Sequence, residues 1–220
     1  MVFHNIRAVL FDLDGTLVDS APDLAAAVDK LRTDRGLPSL PFEGYRRVAG
    51  AGARGLLQVA FNMGPDHADF MAYREEFFRN YESALVANTY AFDGVAELLQ
   101  QLQQAGLPWG IVTNKSERFA LPMSQQMPLL QSSAVVIAGD TTPHAKPHPE
   151  PLLEAARRLQ IAPEHIVYVG DDKRDIDAAL AAGMPAVAAA WGYLGEHAIS
   201  SWGAHAITER PQDVWQLLQV

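Results

Sequence analysis

Hydrophobic positions fall along this chain in short blocks whose period changes from place to place. Residues 6–11 read Ile-Arg-Ala-Val-Leu-Phe and stop abruptly at Asp12-Leu13-Asp14-Gly15. A nearly continuous apolar run of that length predicts a strand buried on both faces. After Asp93-Gly94 the spacing changes: Val95, Leu98, Leu99 and Leu102 stand at i, i+3, i+4 and i+7, closed by Gly106 and followed by Trp109-Gly110-Ile111-Val112. That is a helix, a glycine stop and a strand. The alternation returns as a helix over 149–159, a strand over 166–169, a helix over 176–182 stopped by Gly183, and a strand over 186–190. Alternating β and α units predict an α/β fold, a doubly wound parallel sheet with right-handed crossovers.

Between residues 20 and 88 the strand signal is lost, while helical spacing persists at Leu24, Val28 and Leu31, and again at Phe70, Tyr73, Phe77, Tyr81 and Leu85. The chain is therefore read as an α/β core over 1–19 and 89–220, interrupted by a helical cap over 20–88. The aromatic stripe 70–85 is read as the core of that inserted lobe, because apolar residues at helical spacing need burial first. No internal repeat and no low-complexity segment interrupts this pattern.

In a doubly wound sheet, ligands bind beyond the carboxyl ends of the strands, so the residues that follow each strand decide the chemistry. The first strand ends in Asp12-Leu13-Asp14-Gly15-Thr16, where two carboxylates leave one tight turn and Gly15 lets backbone amides approach an anion. In a chain of this composition the pattern arises by chance roughly 0.002 times, which makes it a specific signal. The second informative strand end carries Thr113-Asn114, a hydroxyl and an amide able to hold phosphoryl oxygens or merely to form a turn. The third, Gly170-Asp171-Asp172-Lys173-Arg174-Asp175, opens a helix with a carboxylate cluster in which Asp172 suits the N-cap. Lys146 lies between them in Lys146-Pro147-His148-Pro149.

Composition narrows the partners. With 17 Lys+Arg against 26 Asp+Glu and a net charge of −9, the chain has no electrostatic support for gripping nucleic acid or anionic lipid. No cysteine is present, which excludes disulfides, thiolate metal sites and cysteine nucleophiles. The longest apolar stretch, 186–191, is far short of the ~20 residues of a bilayer span, and residues 1–7 lack the apolar core of a signal peptide. A cytoplasmic enzyme acting on a small molecule is the expectation, with the oligomeric state left open.

The order of these strand ends, paired Asp, then Thr, then Lys, then an Asp cluster, resembles the haloacid dehalogenase superfamily of phosphohydrolases over essentially the whole chain, with a helical cap inserted after the first motif. Within it the sequence is similar to phosphoglycolate phosphatases and their relatives. Gly52-Ala53-Arg54, the 109–115 stretch Trp-Gly-Ile-Val-Thr-Asn-Lys and the 170–176 stretch Gly-Asp-Asp-Lys-Arg-Asp-Ile look most like N-acetylmuramic acid 6-phosphate phosphatases. The resemblance implies Asp12 as the nucleophile that forms an aspartyl-phosphate, and Asp14 as the acid that protonates the leaving alkoxide and then activates water. It implies Mg2+ held by the Asp12 carboxylate, the Asp14 backbone carbonyl and Asp171, with Asp175 nearby, and a phosphoryl cradle of Thr113, Asn114, Lys146 and the Gly15 region. A cation is required physically, since a carboxylate cannot readily approach a phosphate dianion until charge is neutralised. Thr16 is expected to support the turn. Dehalogenases of the family carry Tyr, and phosphonate-cleaving members Ala, where this chain has Asp14, so phosphomonoester hydrolysis is implied. A hexose phosphate mutase of the same superfamily and a receiver-like phosphorylation switch are the alternatives. A receiver is a ~120-residue domain without a helical insertion.

The candidate substrates 2-phosphoglycolate and N-acetylmuramic acid 6-phosphate both carry a carboxylate, and Arg54, in the glycine-flanked loop 50–55, offers a bidentate fork for it or is a plain surface arginine. Loop 50–55 looks like a phosphate loop but lacks the Lys-Ser/Thr ending and the preceding strand. His144 and His148 are separated by Pro147 and followed by Pro149, which prevents the helix that would aim both at one metal. Trp191-Gly192-Tyr193 either lines the pocket mouth or packs at the core edge.

Overall fold

The computed structural model describes residues 2–195 and 197–219. In chain order its strands are β1 (Ala8–Phe11), β2 (Val18–Asp19), β3 (Tyr90–Ala91), β4 (Trp109–Val112), β5 (Val136–Ile137), β6 (Ile166–Gly170), β7 (Ala186–Ala189) and β8 (Ala206–Thr208). Its α-helices are α1 (Ala21–Thr33), α2 (Phe42–Arg46), α3 (Gly52–Phe61), α4 (Phe70–Ser83), α5 (Val95–Gln104), α6 (Glu117–Gln126), α7 (Glu150–Leu159) and α8 (Lys173–Ala181). The chain forms two compact units, one made of Met1–Val18 with Ala91–Val220, the other of Asp19–Tyr90.

The first unit is an α/β fold. Six strands pair in the order β5-β4-β1-β6-β7-β8, all in parallel. All four residues of β1 are buried, as a strand covered on both faces requires. One face packs Ala8, Leu10, Ile166 and Tyr168 against Leu152 and Ala155 of α7 and Ile176 and Ala179 of α8. On alternate positions Phe11 meets Trp109 edge-on, ring centroids 6.3 Å apart. β1 starts two residues later than expected, although Ile6 is buried. β5 and β8 were not anticipated, being too short to show a period. A separate two-stranded sheet pairs β2 with β3, where the chain leaves and re-enters this unit. No helix among the described residues is long and apolar enough to cross a membrane.

The second unit holds α1 to α4. Leu24, Val28 and Leu31 of α1 and Phe70, Phe77 and Tyr81 of α4 are buried, as their spacing predicts, and Leu85 is buried just beyond α4. Tyr73 departs from the expected core stripe. It is half-buried, its ring lies under the Arg35 guanidinium at 4.3 Å, and its hydroxyl accepts from Arg35 Nε at 3.1 Å, because a phenol keeps its polar end wet. The expected loop 50–55 is also corrected: Gly52, Ala53, Arg54 and Gly55 form the first turn of α3. Burial of Leu56, Leu57 and Ala60 on one face outweighs the poor helix propensity of the glycines.

Candidate active site

Chain order reverses at β1, with β4 and β5 on one side of it and β6, β7 and β8 on the other. The carboxyl ends of the strands beside such a reversal leave a crevice. Asp12 follows β1, Thr113 follows β4 and Asp171 follows β6, so three predicted residues enter that crevice from neighbouring strands.

The turn after β1 is shaped around Asp171. Gly15 has φ +88°, and a Cβ there would fall 2.1 Å from Asp171 Oδ2, so only glycine fits. Gly192 is as close, since its Cβ would meet Asp171 Cβ at 2.2 Å and Gly15 O at 2.4 Å. Asp171 accepts from Thr16 Oγ1 at 2.8 Å and from Tyr193 N at 2.8 Å, while Trp191 Nε1 donates to Thr16 O at 2.9 Å. Thr16 thus orients a carboxylate as well as the turn, and the 191–193 segment braces the first loop.

Asp175 lies in the first turn of α8, where its Oδ2 accepts from Asp172 N at 3.1 Å and Asp172 Oδ1 accepts from Arg174 N at 2.8 Å. This capping box fulfils the N-cap expectation for Asp172. It also aims Asp175 Oδ1 at Lys146 Nζ, 2.6 Å away. Lys146 Nζ lies 2.9 Å from Asp12 Oδ1, and its side chain is only 2% exposed. One oxygen from each of Asp12, Asp171 and Asp175 lies within 4.8 Å of the others.

This cluster has more negative charge than its surroundings balance. Burial, followed by the charges of Asp12 and Asp175, pushes the Asp171 carboxyl well above the usual carboxylate range. Burial raises Asp175 to about 7, with Lys146 pulling the other way and Asp12 adding to the rise. Burial would lower the Lys146 ammonium, but Asp12 and Asp175 more than offset it and hold it above its ordinary value. Three converging carboxylates with one ammonium among them are a donor set that an oxygen-preferring divalent cation fits.

The Asp14 carboxylate faces elsewhere, toward Lys115, whose Nζ is 3.1 and 3.0 Å from its two oxygens. Both side chains are largely buried, at 17% and 7% exposure. In the sequence Lys115 is only the last residue of the 109–115 stretch, and its partner stands far away along the chain, so no spacing links them. Thr113 is buried, and its Oγ1 accepts from Lys115 N at 3.2 Å. Asn114 does something other than expected. Its Nδ2 donates to Lys146 O at 2.9 Å and its Oδ1 accepts from Lys146 N at 2.9 Å, so the amide that was expected to face phosphate clasps the lysine backbone.

Arg54 is exposed on α3 in the second unit. His144 and His148 are exposed, with rings 4.4 Å apart, and α7 begins only at Glu150.

Comparison with known proteins agrees with the resemblance read from the sequence. The family model for haloacid dehalogenase-like hydrolases matches residues 9–189. A phosphoglycolate phosphatase of Xanthomonas campestris is 50% identical over 211 residues, covering 96% of this chain and 95% of that protein. An N-acetylmuramic acid 6-phosphate phosphatase of Pseudomonas putida is 39% identical over 214 residues, covering 97% and 96%. The crystal structure of a predicted phosphoglycolate phosphatase from Haemophilus somnus superposes with a TM-score of 0.86 at 27% identity, covering 97% of this chain and 98% of that one.

Proposed function

This chain belongs to the haloacid dehalogenase-like hydrolases and is a phosphatase, and we propose that it hydrolyses a small phosphomonoester that also carries a carboxylate. The observation that supports this most is the meeting of Asp12, Asp171, Asp175 and Lys146, three carboxylates and one ammonium, beyond β1 and β6. Asp12 attacks phosphorus with one carboxylate oxygen, the P–O bond to the leaving alkoxide breaks, and an aspartyl-phosphate forms. Asp14, two residues on, gives the alkoxide its proton and then takes one from the water that cleaves the acyl-phosphate, which returns Asp12 and releases phosphate. Lys146, its ammonium held among protein oxygens, neutralises charge beside Asp12, and the buried Thr113 hydroxyl with amides of the Gly15 turn holds the phosphoryl oxygens, while Asn114 acts through the Lys146 backbone. Mg2+ would be held by Asp12, Asp171 and Asp175 with the Asp14 carbonyl, and would supply the charge neutralisation that lets two anions meet.

The Asp19–Tyr90 unit is the proposed cap, which selects the substrate. The two kinds of relative act, by their names, on phosphoglycolate and on N-acetylmuramic acid 6-phosphate, and both substrates offer a carboxylate to an arginine such as Arg54. Steady-state kinetics on both, with Mg2+ and after EDTA treatment, test this reading. Metal-dependent turnover of either is expected. Asp12→Asn should leave less than ~1% of the activity, on the scale of losses seen when a nucleophile is removed. Retained turnover in that variant overturns the mechanism. Arg54→Ala should lower kcat/KM on the carboxylate-bearing substrate by about 1.5 to 3 kcal/mol and barely affect p-nitrophenyl phosphate. Equal losses on both give Arg54 a supporting role only.

A further inference from the structure

Lys146 Nζ is surrounded by four oxygens: Val112 O at 2.8 Å, Tyr168 Oη at 2.7 Å, Asp175 Oδ1 at 2.6 Å and Asp12 Oδ1 at 2.9 Å. An ammonium has three protons, so one oxygen must do without. Hydrogen bonds run to Val112 O and to the tyrosine hydroxyl, and Asp175 Oδ1 is the nearest of the four oxygens and lies 3.3 Å from the hydroxyl as well. Asp12 Oδ1 is the one left out: it is buried and accepts no hydrogen bond, although the ammonium is 2.9 Å away.

The arrangement depends on the hydroxyl of Tyr168, a wholly buried residue in the middle of β6. Its ring packs in the main core with Leu10, Val112 and Ile176, a place that phenylalanine fills equally well. A hydroxyl there must find partners or cost free energy, and it finds them around Lys146: it accepts from the ammonium, donates to Val112 O at 2.8 Å and lies 3.3 Å from Asp175 Oδ1. The packing of the core gives no reason for that oxygen.

We propose that Tyr168 is a positioning residue for the reaction, whose hydroxyl takes the Lys146 proton that Asp12 would otherwise receive, so that the nucleophile feels the positive charge without being hydrogen-bonded by it. The charge is useful because it offsets repulsion between the carboxylate and the incoming phosphate. A hydrogen bond on Oδ1 is a hindrance, because it draws charge from the carboxylate whose other oxygen must attack phosphorus. This inference rests on the reading of Asp12 as nucleophile.

Tyr168→Phe tests it with two kinds of readout. In a crystal structure of the metal-free variant, Lys146 Nζ is expected to turn to Asp12 Oδ1 and form the missing hydrogen bond, with the core repacked little. In rapid-quench experiments on p-nitrophenyl phosphate, where departure of the leaving group is fast, formation of the phosphoenzyme should slow by about tenfold, the scale of one charged hydrogen bond, with KM almost unchanged. An unmoved Lys146, or a phosphoenzyme formed as fast as in the parent protein, overturns the proposal. Failure of the underlying reading is recognised separately, by a parent protein that forms no phosphoenzyme or an Asp12→Asn variant that still does.

Discussion

Each of the two units buries aspartates, and it treats them in opposite ways. In the Asp19–Tyr90 unit, Asp19 is fully buried and accepts from Ala21 N at 3.2 Å, from Tyr90 Oη at 2.8 Å and from the Arg46 guanidinium. Asp23, four residues on, accepts from Asn88 N with both oxygens at 2.9 Å, from Asn88 Nδ2 at 2.9 Å and from Thr89 Oγ1 at 2.7 Å. These contacts tie the start of α1 to residues 88–90, so the two ends of the unit's chain are clasped together. In the other unit Asp12, Asp171 and Asp175 crowd within 4.8 Å, burial drives the last two above the ordinary carboxylate range, and Asp12 Oδ1 has no hydrogen bond. Buried acids with a full set of donors are structural, and buried acids set against one another without one await a ligand.

The largest effect that can break this contrast is on activity. Asp171→Asn should raise the Mg2+ concentration needed for half-maximal turnover by at least about a hundredfold, since loss of a partner one shell farther out already costs about 10- to 100-fold, while the variant folds normally. A metal titration of activity checks it. If Asp171→Asn responds to Mg2+ like the parent protein, the crowded cluster is not the metal site, and the contrast between the two sets of acids fails.

The converse substitution lies in the clasp. Asp23→Ala leaves Asn88 N and the Thr89 hydroxyl without their acceptor. It should cost about 2 kcal/mol, taken from the low end for hydrogen bonds to a charged group because Asn88 is exposed. Urea unfolding should show the loss as a lower midpoint at constant slope, with kcat of the folded enzyme within about twofold of the parent. Loss of kcat without loss of stability would move Asp23 from the structural to the functional set.

Far more of the crowded cluster than of the clasp was legible in the sequence. Asp12, Asp14 and Asp171 stand directly after apolar runs, where periodicity ends and chemistry shows. Pairs far apart along the chain carry no such signal: Asp14 with Lys115, Tyr168 with Lys146, Asp19 with Tyr90 and Asp23 with Asn88 are made by folding alone. Tyr168 was hidden further by its place in an apolar strand, where an aromatic residue reads as core. The glycines at 50, 52 and 55 read as a loop, because local propensity speaks before the burial of Leu56 and Leu57 that holds α3 in place. β5 and β8, of two and three residues, owe their pairing to the strands beside them.

The smallest expected effect sharpens the contrast most, because it makes the crowded cluster cost stability. Asp175 has a folded pKa of about 7 against an ordinary 3.8, and Asp171 is displaced in the same direction. For a carboxyl raised on folding, the favourable contribution is fully present below the ordinary value and is lost as pH rises through the folded one. The metal-free protein should therefore lose stability between about pH 4 and pH 7, with each unit of displacement worth about 1.4 kcal/mol before relaxation and solvent reduce it. The lowered carboxyls Asp29, Glu76, Glu154 and Asp172 act in the opposite sense, but their window lies below the ordinary value and so outside the range from pH 5 to pH 7.5. In EDTA, Tm should fall from pH 5 to pH 7.5. Asp171→Asn, with one charge fewer in the cluster, should fall less and melt above the parent at pH 7.5 by the equivalent of about 1 kcal/mol. Saturating Mg2+ should reverse that order, because the cation stabilises the parent site and hardly the variant. If the two proteins melt alike in EDTA across this range, the three carboxylates do not oppose one another, and Asp171 belongs with Asp19 and Asp23 among the satisfied acids.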